Sequence, residues 1–149
     1  MLKTVLIDTN VWVSAFINRN GYPARVKEKF LHREFEIVVS PPLLQEVSDV
    51  LRRPRIQNRY AITEEEINLF MEILAGTGRC VLLSGNVNLC RDRKDNMVLE
   101  TAMKGEVDYL VTRDDDIKID VKLVEEMITH GVTVLTVSKF LEILGDEKE

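Results

Sequence analysis

A three-layer α/β domain around a central parallel sheet of about five strands is what this sequence predicts, on three observations. Short apolar runs at Val5–Ile7, Glu36–Val39, Arg79–Leu83, Asp108–Val111 and Val132–Leu135 alternate with segments of helical periodicity. The first run is apolar at three consecutive positions, which marks a strand buried on both faces of its sheet. No internal repeat, low-complexity tract or linker interrupts the 149 residues, so a single domain over 1–149 is expected, with 145–149 fraying as an acidic tail.

Val5-Leu6-Ile7 ends abruptly in Asp8, Thr9 and Asn10. Val11 to Ile17 is apolar enough for a buried first helix, and Asn18 to Gly21 reads as a turn. Pro23 suits the first turn of a second helix, from Pro23 to His32, because the N–H it lacks would be unpaired there anyway. Val26, Phe30 and Leu31 point inward from it. After the second strand, Ser40 is placed to cap a helix from Pro41 to Leu51. Leu43, Leu44, Val47, Val50 and Leu51 form its apolar face, with Glu46 and Asp49 beside that face. Arg52-Arg53-Pro54-Arg55 ends the helix in a basic cluster extended by Arg59.

Thr63-Glu64-Glu65-Glu66 has the form of a capping box and opens a helix through Leu74, stopped by Gly76 and Gly78. The third strand, Arg79–Leu83, leads into a long polar loop from Ser84 to Lys94. Asp95 starts a helix with the core face Val98, Leu99, Ala102 and Met103, which Gly105 ends. The fourth strand gives way to Thr112-Arg113-Asp114-Asp115-Asp116. A helix from Val121 to His130, stopped by Gly131, precedes the fifth strand, and Ser138 caps a last short helix through Leu144.

Hydrophobic content of 45% and charged content of 30% are ordinary for a globular protein. No signal-peptide pattern and no apolar run of membrane-spanning length is present. Cys80 and Cys90 lack metal-type spacing and read as reduced and structural, which fits a cytoplasmic protein. A formal charge of −5 weighs mildly against a basic nucleic-acid surface. Clustered acids that hold divalent cations invert the local field, however, and leave the remaining face free to be basic.

Most of the 25 acids must be solvated. Taken singly, Asp95 is a helix cap, Asp114 a turn residue and Glu46 a helix-surface charge. Their combination is more specific. Asp8 and Asp114 both come directly after apolar strands, at the carboxyl edge where α/β sheets bind ligands. Asp95 begins a helix fed from that edge, and Glu46 lies within two turns of another helix start. Four converging acids need a counter-ion, and all-oxygen ligation suits Mg²⁺ or Mn²⁺ rather than zinc. One or two such ions can steady both oxygens of an in-line displacement at phosphorus.

With these residues in place the chain resembles a PIN-domain protein, in particular the PIN-family toxin component of prokaryotic toxin–antitoxin systems, the VapC-like ribonucleases. Val5-Leu6-Ile7-Asp8-Thr9-Asn10 resembles the opening signature, in which Asp8 is the first metal ligand and Thr9 and Asn10 support it. Ser40-Pro41-Pro42-Leu43-Leu44-Gln45-Glu46-Val47 resembles the segment carrying the second acid, on Glu46. Arg91-Asp92-Arg93-Lys94-Asp95-Asn96, with Leu99-Glu100 and Ala102 after it, resembles the third, on Asp95, with Asp92 near enough to assist. Tyr109-Leu110-Val111-Thr112-Arg113-Asp114-Asp115-Asp116 resembles the fourth, on Asp114, with Thr112 in support and Asp116 a further candidate ligand. The resemblance implies a compact α/β/α fold and a Mg²⁺- or Mn²⁺-dependent endoribonuclease acting on single-stranded RNA. It also implies a homodimer restrained by a small antitoxin. One departure is Arg113, where relatives commonly have Gly or Asn; a long cation there can narrow the site or contact phosphate.

Arg91, Arg93 and Lys94, immediately before Asp95, are the stronger candidates for RNA contact beside Arg113. Arg52, Arg53, Arg55 and Arg59 are equally well read as a solvated helix end. Trp12 and Phe16, four apart, read as core rather than a base-stacking platform, and His32 and His130 as incidental. A phosphoacceptor receiver domain needs an Asp at the end of the third strand, where Leu83 is followed by Ser84 and Gly85. A haloacid-dehalogenase-type phosphatase needs a second Asp two positions after the first, where Asn10 stands. The stronger alternative is a non-cleaving RNA-binding or partner-binding member of the same family.

Overall fold

Successive residues of a strand point to opposite faces of its sheet, and here both faces are covered. In a computed structural model that describes residues 2–86, 93–113 and 121–145 (the side chains of 93–95 and 121–123 excepted), Val5, Ile7, Ile37, Val39 and Val111 enter one core. Leu6, Val38 and Leu110 enter a second. The strands are β1 (Thr4–Ile7), β2 (Glu36–Val39), β3 (Arg79–Cys80), β4 (Tyr109–Thr112) and β5 (Thr133–Thr136), in the order β3-β2-β1-β4-β5. Every pairing is parallel. The three-layer α/β/α reading therefore holds, with the first strand at the centre.

The helices are α1 (Thr9–Ile17), α2 (Tyr22–Leu31), α3 (Pro41–Leu51), α4 (Pro54–Gln57), α5 (Glu64–Thr77), α6 (Arg93–Lys104), α7 (Val121–Thr129) and α8 (Val137–Ile143). The first core is aromatic. Trp12 meets Phe30 and Phe70 edge-on at centroid separations of 5.3 and 5.2 Å, and Phe16 meets Phe70 at 5.3 Å. Both Trp12 and Phe16 are buried, as core residues should be. The second core is aliphatic, closed by Val98, Leu99 and Ala102 of α6 and Met127 of α7. Leu43 of α3 joins the second core while Val47 and Leu51 join the first, so α3 straddles the sheet margin.

Several boundaries differ from expectation for local reasons. Ser40 occupies the N-cap position of α3 but makes no capping bond; its hydroxyl instead meets Thr101 Oγ1 at 2.9 Å, buried in the interior. Thr136, not Ser138, caps α8, because β5 runs straight into the helix and its last residue has the extended backbone a cap needs. The Thr136 hydroxyl accepts from the Lys139 N–H. Strand β3 is two residues long rather than five: it lies at the sheet margin, and after the Val81 N–H bonds Val39 O the chain turns away. Helix α1 begins two residues earlier than read. Helix α5 runs on to Thr77, three residues past Leu74, through Gly76 to a cap at Gly78. A Cβ at Gly78 would sit 2.7 Å from Leu74 O, so this glycine permits close packing. Leu31 is exposed, since it follows the buried Phe30 around the helix and away from the core. Cys80 is a free thiol exposed on the marginal strand, not a core residue; Cys90 lies outside the described residues.

Candidate active site

The carboxyl edge of the sheet is built where three strands end level. Ile7 pairs with Val111, and continuing the Val5–Ile37 register brings Ile7 level with Val39. Ser40, Asp8 and Thr112 therefore emerge side by side, on strands about 5 Å apart. The Asp8 N–H donates to Val111 O at 3.0 Å, as if the strand continued, while its carbonyl accepts from the Val11 N–H at 3.0 Å and opens α1. Sheet and helix thus fix its backbone from both sides. Its half-buried carboxylate makes no capping bond to the first turn of α1, although it stands at that helix's positive end.

Thr9 follows, buried to 3% exposure, and its Oγ1 has no hydrogen-bond partner among the described residues. A hydroxyl in that state is costly unless something else bonds it. Asn10, next along, is exposed. Glu46, half-buried on the second turn of α3, stands on a helix that leaves the neighbouring strand and packs against α1. Thr112 is buried and donates to Arg113 O at 3.1 Å; Arg113 itself is exposed.

Asp95 is the third residue of α6, with Arg93 and Lys94 before it; their side chains are not among those described. Arg91, Asp92, Asp114 and Asp116 lie outside the described residues. Among the described residues no three His, Cys, Asp or Glu side chains surround a common point. What the edge does present is a carboxylate, an amide side chain and a buried hydroxyl with no partner among the described residues, each able to offer an oxygen. These fit a hard divalent cation such as Mg²⁺ or Mn²⁺ and do not fit the nitrogen and sulfur preferences of zinc. A cavity of about 510 Å³ between Phe30, Phe35, Ile37, Arg33 and Arg79 opens at the opposite, amino edge and has no share in this chemistry.

Glu100 went unrecognised as a site feature. Helical periodicity puts it on the far side of α6 from Val98 and Ala102, where solvent is expected, yet it is 3% exposed. Its carboxylate accepts from the backbone N–H and hydroxyl of Ser84 and from the Gly85 N–H, so the segment after β3 covers it. Burial pushes its carboxyl up; those bonds and Lys104 more than reverse the effect and hold it below the usual range. Only the coincidence of this acid with a Ser-Gly turn hinted at the contact.

The basic candidates separate. Arg52 bonds Glu64 at 2.7 Å, Asn68 at 2.6 Å and the Ser48 hydroxyl, which ties α3 to α5 and removes it from phosphate guidance. Arg53, Arg55 and Arg59 are exposed. His32 bonds the Glu28 carbonyl and His130 lies beside Glu126, both on the surface.

A parallel sheet with helices on both faces and a half-buried carboxylate, Asp8, at the carboxyl end of its central strand defines an α/β/α domain of the kind that binds ligands beyond its strand ends. Residues 4–116 match the sequence model of the PIN domain, and the chain belongs to the PIN domain family. PIN domains are generally nucleases, hydrolases of nucleic acid, and typically use divalent metal. The chain is also similar to the uncharacterized protein MJ1680 of Methanocaldococcus jannaschii, 28% identical over 113 residues that cover 76% of this chain and 72% of the relative. Among the described residues no helix is long and apolar enough to cross a membrane.

Proposed function

We propose that this chain is a Mg²⁺- or Mn²⁺-dependent endoribonuclease that hydrolyses single-stranded RNA, with Asp8, Glu46, Asp95 and Asp114 as its metal-holding acids. The observation that carries the reading is Asp8. In a member of a nuclease family, a half-buried carboxylate stands at the carboxyl end of the central strand, beside a buried hydroxyl with no partner among the described residues. When bound, the metal supplies charge stabilisation at the phosphoryl oxygens and a more acidic attacking water. The chain's own residues do the rest. Backbone bonds to sheet and helix fix the main chain of Asp8, so its side chain leaves from one place at the strand end. Thr9, Asn10 and Thr112 support that edge, with Asp92 and Asp116 as further candidate ligands. Arg91, Arg93, Lys94 and Arg113 are assigned to the RNA backbone, where cations steer phosphate by counterion release. Kinship with the toxin family supports a homodimer, a small antitoxin partner and a cytoplasmic setting as parts of the same reading.

The test is cleavage of single-stranded RNA and, in parallel, single-stranded DNA by purified protein with Mg²⁺, with Mn²⁺ and with chelator. RNA cleavage that stops on chelation is the expected result. Asp8→Asn, nearly isosteric and neutral, should abolish it. A variant as active as the parent would move the activity to another site, and RNA binding without cleavage would favour the non-catalytic reading.

A further inference from the structure

Glu100 and Thr101 are adjacent, polar and buried in a helix whose other buried residues are apolar. Neighbours on an α-helix point about 100° apart, and each of these meets the exit of a different strand. Thr101 Oγ1 donates to Met97 O at 2.8 Å, which uses its one proton. The 2.9 Å bond between Thr101 and Ser40 is therefore donated by Ser40, the residue leaving β2. Glu100 turns the other way, onto the backbone and hydroxyl of Ser84 and the Gly85 N–H, just past β3. Lys104 closes the set, 3.3 Å from Glu100 and 2.8 Å from Leu82 O, and Arg79 of β3 reaches Gly105 O. All these ties to other elements fall within residues 100–105, the C-terminal half of α6 and the glycine that follows it.

We infer that Glu100 and Thr101 are positioning residues: they form a two-way latch that sets the rotation and axial place of α6 against β2 and β3. Its consequence for metal rests on the nuclease reading above. Asp95 lies five residues before Glu100, about 7.5 Å along the same rigid helix, so a slip at the latch is carried to it without a joint. Through Ser40 the latch also holds the start of α3, the helix that carries Glu46. Apolar packing alone would stabilise α6 without burying a carboxylate and a hydroxyl pair, which is costly. Directional bonds add a unique register, and register is what two acids on separate helices need.

The experiment compares Thr101→Val, which keeps shape and loses the hydroxyl, with Thr101→Ser, which restores it, and with Glu100→Gln, all in the full chain well below melting. Three quantities are read: Mn²⁺ affinity of the metal-free protein by water proton relaxation, KM against kcat for RNA cleavage, and amide exchange along α6. Thr101→Val and Glu100→Gln should weaken Mn²⁺ about tenfold, the low end of what outer-shell partners contribute. They should lower kcat at fixed Mn²⁺, leave KM unchanged and speed exchange in the first turns of α6, while Thr101→Ser stays at the parent level. Variants with a lower melting temperature but parental Mn²⁺ affinity and parental α6 exchange would overturn the latch and make these residues ordinary packing. If the parent holds no Mn²⁺, the nuclease reading falls and the latch is judged by exchange alone. Unchanged α6 exchange in Thr101→Val then refutes it, and faster exchange confined to the first turns supports it. Should Glu100→Gln fail to fold, Thr101→Val decides.

Discussion

Replacing Thr9 by Val removes one oxygen from the interior and leaves the shape almost unchanged. Thr9 is 3% exposed and its hydroxyl has no partner among the described residues. A buried hydroxyl in that condition costs about 1–3 kcal/mol relative to an apolar group. In chelator, Thr9→Val should therefore be more stable than the parent by about 2 kcal/mol, a rise of about 4–8 °C in melting temperature for a chain of this size. Metal narrows the difference to about 0.7 kcal/mol. At about 100 times its dissociation constant, Mn²⁺ stabilises the parent by about 2.7 kcal/mol through mass action. If loss of the hydroxyl weakens the ion about tenfold, the variant gains only about 1.4 kcal/mol at the same concentration. The assay is thermal unfolding of both proteins over a Mn²⁺ titration, followed by circular dichroism. A variant less stable than the parent in chelator would show that the hydroxyl is already bonded within the protein. A metal increment of parental size would remove Thr9 from the site.

Three further outcomes follow from other contacts. Glu66 is held down to about 2 by the Arg19 guanidinium first and the Thr63 backbone N–H second. A depressed carboxylate stabilises the fold above its ordinary value of 4.5 and loses that contribution as pH falls toward 2. The shift sets a ceiling of roughly 3 kcal/mol, and the partly exposed Arg19 pair is screened by water, so about 1 kcal/mol is expected. Urea melts of Glu66→Gln and parent should differ by that amount at pH 6 and converge near pH 2; a constant difference would refute the assignment. Gly105→Ala would place its methyl 2.6 Å from Val38 Cγ1 and 3.0 Å from Thr101 O, and overpacking of this kind costs about 1–3 kcal/mol, read as a lower urea midpoint. Neutralising Arg91, Arg93 and Lys94 together should weaken RNA binding and flatten its slope against log salt by about 2–3, since fewer counterions are released; an unchanged slope returns them to the solvated surface.

Much of this architecture was written in alternation and caps. Val5, Leu6 and Ile7 could be apolar together only in a strand covered on both faces, and the Thr63–Glu66 box formed with both of its reciprocal bonds. Asp8 was legible because its strand stops at it. What stayed hidden were hydroxyls with two uses. Ser40 and Ser138 both look like caps in sequence, but the partner that claimed Ser40 is 61 residues away, and Thr136 reached its helix first. Glu100 was invisible for a related reason: periodicity reports which face of a helix meets the sheet, and says nothing of a loop laid over the other face. Arg52 likewise looked like a free surface cation until α5 supplied Glu64 and Asn68.

The central strand is made before the other four, yet one of its two neighbours is β4, which follows some hundred residues later. The Asp8 N–H has its partner in Val111, so the residue is anchored on one side only while the intervening helices are still emerging. At about 5–20 residues per second this interval lasts on the order of ten seconds. Throughout it the nascent chain is tethered beside messenger and ribosomal RNA. A family of nucleic-acid hydrolases that assembled its edge from contiguous residues would be competent at that moment. Here the delay is set by topology, since no partial chain that stops short of β4 can complete the edge on which Asp8 stands.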